Sequence, residues 1–112
     1  MKSYHYRECG LDNVYLVNGF TVDEEDGEEY VSIDDIHGLH RLIAKQIVDK
    51  TTAMTGAEYR FLRIEMNLSQ KTIGELFGVD AQTVARWEKG KNEQPKMVDV
   101  LIRDVYNEFI EK

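Results

Sequence analysis

One cysteine and one proline in 112 residues set the first limits on this chain. The lone thiol, Cys9, has no second cysteine to pair with, so an internal disulfide is excluded. A reducing cytoplasm is the simplest setting. No apolar run approaches the ~18 residues that span a bilayer, and no signal peptide opens the sequence, so no membrane partner is expected. Paired CxxC or HxxxH ligands are missing too, so neither a metal site nor a cofactor is expected. Nor is there an excess of basic charge: the formal net charge is -7. That argues at first against a nucleic-acid partner.

The distribution of charge removes most of that objection. Residues 1–50 carry five basic and eleven acidic side chains, whereas 51–112 carry nine and ten. Within 55–96 the balance is seven to six in favour of the bases. Exposed charges more than about 8 Å away are largely screened at physiological salt, so the local balance outweighs the total. A hydrophobic content of 42% supports a folded domain.

The pattern of strand, turn and helix signals along the sequence implies an α+β chain. A small β-rich module and one helix fill residues 1–50, and a helical domain fills 51–112, with about five helices expected. Asn13-Val14-Tyr15-Leu16-Val17 is β-rich, Asn18-Gly19 is a hairpin-turn signal before Phe20-Thr21-Val22, and Tyr30-Val31-Ser32-Ile33 is a further short strand. Between them Asp23-Glu24-Glu25-Asp26-Gly27-Glu28-Glu29 is expected to be a solvated loop; the alternative is a docking site for a basic partner or a mimic of the DNA backbone. Ser32-Ile33-Asp34-Asp35 is expected to start a helix that runs to about Lys50, with acids in its first turn. Its apolar stripe is Ile36, Leu39, Ile43 and Ile47. His37 and His40 lie one helical turn apart on it, a half-exposed pair by expectation. Asp34, Asp35 and these histidines have no nucleophile, phosphate loop or metal cage beside them, so an enzyme is not expected.

The helical half turns on residues 68–90, LSQKTIGELFGVDAQTVARWEKG. Ser69 is an N-cap candidate for a helix from 70 to 77, and Gly78 can end it in a left-handed conformation. Asp80 caps a second helix from 81 to 89, and Gly90 ends that one. Ile73, Phe77, Val79, Val84 and Trp87 are spaced to share one core, and Gly74 allows the second helix a close approach. Upstream, Thr55-Gly56-Ala57-Glu58 is a capping box opening a helix to Met66, with Phe61 and Leu62 inward and Asn67 as a left-handed stop. Downstream, Pro95 suits the first turn of a last helix. Val98, Leu101, Ile102, Val105, Tyr106 and Phe109 form one face of it, wide enough for a core contact plus a two-fold dimer seam, the alternative being a core contact alone.

Two short helices joined in this way make a helix-turn-helix. The run, through its LSQ, IG, FGV, TV and RWE elements, resembles the Cro/CI (XRE-type) helix-turn-helix of phage repressors and bacterial regulators. That resemblance implies a second helix lying in the major groove and a first lying across the backbone. By its place in this frame, Arg63 pairs with Glu88 of RWE. Ser69 and Gln70 then meet phosphate at a helix N-terminus. Ala81, Gln82 and Arg86 face the base edges: Gln82 with the amide geometry for adenine, Arg86 with the fork for guanine, Ala81 for a thymine methyl. Thr83, Lys89 and Lys91 are expected on phosphate.

Over the whole chain, TGAEYRFLRIEMNLSQ followed by RWE resembles the MqsA (YgiT) type of antitoxin and regulator. That implies a C-terminal half that dimerises and represses its own operon, and an N-terminal module that contacts a toxin. The zinc-binding CxxC pairs of that module are not matched here, where Cys9-Gly10 stands alone. The expected function is a dimeric, sequence-specific binder of double-stranded DNA, a cytoplasmic and nucleoid-associated bacterial repressor, with an antitoxin role through residues 1–50. The alternative is an interaction module whose acidic half neutralises a basic toxin, with DNA binding secondary.

Overall fold

The computed structural model describes residues 3–111. It is α+β, with two small two-stranded sheets followed by five helices. By internal contacts the chain divides into two compact units, Met1–Ile43 and Ala44–Lys112.

In the first unit, β1 (Tyr4–His5) pairs antiparallel with β2 (Tyr15–Leu16). The His5 and Tyr15 rings stack across the pair at 4.3 Å. Tyr6, Leu11 and Leu16 are buried, and the Tyr6 hydroxyl lies 2.7 Å from His40 Nε2. The second sheet is the hairpin β3 (Phe20–Glu25) and β4 (Glu28–Ile33), in register from Phe20–Ile33 to Glu25–Glu28.

Three expectations are corrected here. The acidic run is not a loop: it forms the distal half of β3, the turn, and the start of β4. Asp26 (φ 52°) and Gly27 (φ 81°) supply the two left-handed positions that a type I′ turn needs. Register is set at the apolar end, where Phe20 faces Ile33 and Val22 faces Val31. The opposed pairs Glu24–Glu29 and Glu25–Glu28 repel, but residues 21–30 are all exposed, so water screens them. Asn18-Gly19, in turn, joins no hairpin, because β2 pairs back to β1 rather than forward to β3. Finally, α1 (Ile36–Asp49) begins four residues later than Ser32, which lies in β4. Asp35 caps it by accepting the Gly38 amide at 2.9 Å, and the first turn holds no acid. Ile43, Ala44 and Ile47 are buried on α1, whereas Ile36 and Leu42 are exposed.

The second unit contains α2 (Gly56–Glu65), α3 (Gln70–Phe77), α4 (Ala81–Glu88) and α5 (Lys96–Ile110). Local sequence sets each boundary. Thr55 and Glu58 exchange both bonds of a capping box, and Asn67 takes φ 57° just past the end of α2. Ser69 accepts the Thr72 amide at 3.0 Å, Asp80 accepts the Thr83 amide at 2.8 Å, and Gly78 closes α3 with φ 76°. Tyr59, Leu62, Ile73, Val84 and Ile102 are fully buried, joined by Phe61 and Trp87, while Phe77 and Val79 are half-buried. A methyl on Gly74 would stand 2.6 Å from the Val79 carbonyl oxygen, so the turn sits against bare backbone.

The stretch after α1 is pinned by α5. Arg103 donates to the carbonyls of Val48, Lys50 and Thr52 and to Asp99 Oδ1 at 2.7 Å. The buried Asp99 accepts the Met54 amide at 2.7 Å, and Gln94 donates to the Met54 carbonyl at 2.8 Å. Both backbone groups of Met54 are thereby satisfied by side chains.

One polar atom in this core stands apart. The Tyr59 hydroxyl is buried with no hydrogen-bond partner among the described residues. Burial, and next the Glu88 carboxylate, push its phenol well above the ordinary value, with Arg63 acting the other way. Tyr59→Phe should therefore keep or raise stability, by up to about 1 kcal/mol, because it removes a desolvated hydroxyl and no bond. Because the folded phenol is the weaker acid, its contribution is intact below pH ~10, the unfolded value, and is lost as pH rises above it. Urea titrations of both proteins at neutral and alkaline pH check this: the phenylalanine variant should lose less stability between the two. A loss above 1 kcal/mol at neutral pH would mean that the hydroxyl has a partner.

Candidate nucleic-acid interface

α4 is eight residues long, just over two turns, and its inward residues fix what its outer side presents. Val84 is fully buried and Trp87 is 4% exposed, with the Trp87 ring edge-on to Tyr59 at 5.9 Å. Gln82 and Arg86, four residues apart, are exposed, and Ala81 is half-buried at the first position of the helix. Thr83 is half-buried, and its hydroxyl donates to Asp80 at 2.7 Å. Those two bonds from Thr83 hold the Asp80 carboxyl below its ordinary range. Thr83 is thus committed first to the helix cap. Lys89 and Lys91 are exposed around Gly90, at the exit of α4.

The start of α3 lies beside this helix. Ser69 is exposed and caps α3, and its hydroxyl also donates to Thr72 Oγ1 at 2.9 Å. Gln70 is half-buried and donates its amide to Glu88 Oε1 at 3.1 Å. Glu88 also receives Arg63 side-on, through Nε to Oε2 and Nη2 to Oε1 at 3.0 Å. Arg63 further donates to the Leu68 carbonyl at 2.9 Å. The expected pairing of Arg63 with Glu88 is present, and it is nearly dry: the side chains are 11% and 2% exposed. This knot ties α2, the entry to α3 and the last turn of α4 together, so the two ends of the helix-turn-helix hold a fixed spacing.

Sequence reasoning passed over two features. The sequence points Gln70 to phosphate alone, because its bond to Glu88 spans eighteen residues and leaves no local pattern. Lys71 is exposed in the first turn of α3, where the dipole favours acids rather than a lysine. It joins the candidate backbone contacts on that ground.

Of the six α5 residues expected to form a dimer face, Val98, Ile102 and Tyr106 are buried in the second unit's own core. Val105 is half-buried, and Leu101 and Phe109 are exposed. The apolar surface left open on α5 is Leu101 and Phe109, together with Met97, Val100 and Ile110. Elsewhere, Cys9 is half-buried, with burial raising its thiol pKa, and no group of three or more His, Cys, Asp or Glu among the described residues is placed to hold a metal ion. Among the same residues no helix is long and apolar enough to cross a membrane.

Residues 60–99 match the protein-family model described as Helix-turn-helix. The matched span covers most of α2, all of α3 and α4, and the first turn of α5. This segment is a helix-turn-helix of the Cro/CI (XRE) type, the DNA-binding module of transcriptional regulators. No curated protein and no solved structure matches the chain.

Proposed function

We propose that this chain is a sequence-specific binder of double-stranded DNA that works as a dimeric repressor. One observation carries the reading: within a matched helix-turn-helix, Val84 and Trp87 are buried while Gln82 and Arg86 are left in solvent. In this reading Gln82 and Arg86 hydrogen-bond base edges in the major groove and Ala81 packs on a thymine methyl. Ser69, Gln70, Lys71, Lys89 and Lys91 position the duplex through its phosphates. Thr83 contributes less than the sequence suggested, since its hydroxyl proton goes to Asp80.

The exposed apolar residues of α5 support a two-fold pairing of chains, which would place two α4 helices about one helical turn of DNA apart. We assign DNA recognition and self-association to 51–112, and contact with a toxin-like protein partner to 1–50. An antitoxin that represses its own genes from the bacterial cytoplasm would combine the two. The acidic β3–β4 hairpin, exposed over residues 21–30, favours a basic partner.

The test is selection of bound genomic fragments with the purified chain, then mobility shifts on the enriched sequence. Arg86→Ala should lower affinity for that sequence by roughly 1–3 kcal/mol and relax preference at one base pair. Lys89→Ala should weaken all duplexes alike and reduce the salt slope by about one unit. Failure of selection to enrich any sequence would remove the repressor reading. Unchanged affinity and preference in the Arg86 variant would strike that residue from the readout set.

A further inference from the structure

A half-open groove of about 850 Å³ lies wholly within the second unit, between the stretch after α1, the 90–96 loop and the flank of α5. Its volume falls in the range of small-molecule sites. Trp87 and Gly90 line it, so its wall includes the exit of α4, and Val100, 51% exposed, adds apolar surface from α5.

The ionisable groups around the groove decide what suits it. Asp99 and Arg103 neutralise each other at 2.7 Å, and Arg103 is spent on backbone carbonyls. Asp49 is paired with Lys45 at 2.9 Å. That leaves Glu93, Asp104 and Lys96, an excess of one negative charge. Among the described residues Glu93 and Asp104 make no hydrogen bond or ion pair that serves the fold, and Asp104 stands one helical turn beyond Val100. A carboxylate next to an exposed apolar side chain, in a groove this large, suits an organic cation with an apolar body and disfavours an anion.

The geometry points to a binding site for a small organic amine in this groove, its ammonium on Asp104 and Glu93 and its apolar part against Val100. The site uses none of the residues assigned to DNA, but Val100 also belongs to the apolar face of α5 offered for pairing of chains, so the oligomeric state of each variant is measured beside its binding.

Calorimetry on the full chain without DNA tests it, with tryptamine as the cationic probe and indole-3-propionate as the anionic control of similar shape. Tryptamine should bind saturably, and indole-3-propionate should not. The double variant Glu93→Gln, Asp104→Asn should weaken tryptamine binding by at least about tenfold, and Val100→Lys, which brings its own ammonium into the wall, should do the same. All three side chains are exposed, so the variants should fold, and a thermal melt of each establishes that. Absence of tryptamine binding, equal binding of both probes, or undiminished binding by the folded variants would each overturn the site.

Discussion

Replacing Arg63 with alanine should remove about 3–5 kcal/mol of unfolding free energy, the range for breaking a buried ion pair by deleting one partner. The loss comes less from the attraction forgone than from the charge left behind. Glu88 has a side chain only 2% exposed, and among the described residues its remaining side-chain donor without Arg63 is the Gln70 amide. Domains of this size unfold at 5–15 kcal/mol, so the variant would sit near the edge of folding. Arg63→Lys should recover only part of the loss, since an ammonium is a point charge and cannot reproduce the side-on fork. Replacing both partners, as Arg63→Met with Glu88→Leu, should be far milder than Arg63→Ala, because no charge is then stranded. Urea unfolding of the four proteins measures this directly. An alanine variant within 1 kcal/mol of the parent would mean that the pair is open to water.

The second large effect concerns Gly56, at the first position of α2. On an exposed helix, glycine to alanine gains about 1 kcal/mol. Here the sign should reverse. A methyl on Gly56 would run into the Trp87 carbonyl oxygen and stand 2.9 Å from that of Glu88, both backbone atoms at the end of α4. Backbone cannot swing aside as a side chain can, so the helices must separate, at an expected cost of about 1–3 kcal/mol. The same separation would displace the exit of α4, so DNA affinity should fall along with the melting temperature. A Gly56→Ala protein as stable as the parent would show that α2 can slide without cost.

These two predictions sit at opposite ends of what the residues disclosed. Arg63 with Glu88 was legible through the RWE frame, and the caps at Thr55, Ser69 and Asp80 through local chemistry that acts within three residues. The close approach at Gly56 was not, because its cause lies thirty residues away in another helix. The hairpin is hidden in the sequence although Asp26-Gly27 is a strong turn signal, because six acids in seven residues point to repulsion that water in fact screens. Arg103 with Asp99 looks in sequence like an ordinary pair one turn apart on a solvated helix. Only the fold reveals that both reach back to the backbone around Met54. In α5 the apolar positions are legible from their spacing, but periodicity cannot divide such a face between an internal core and an outer surface.

That backward reach of Arg103 has a practical consequence for anyone dissecting the molecule. A fragment starting at Thr51 would discard the carbonyls of Val48 and Lys50, leaving the guanidinium with Thr52 alone to serve from that stretch. The last turn of α1 is therefore part of the scaffold that α5 stands on. An excised helical half should begin upstream of it, at Ala44, if its stability is to represent that of the intact chain.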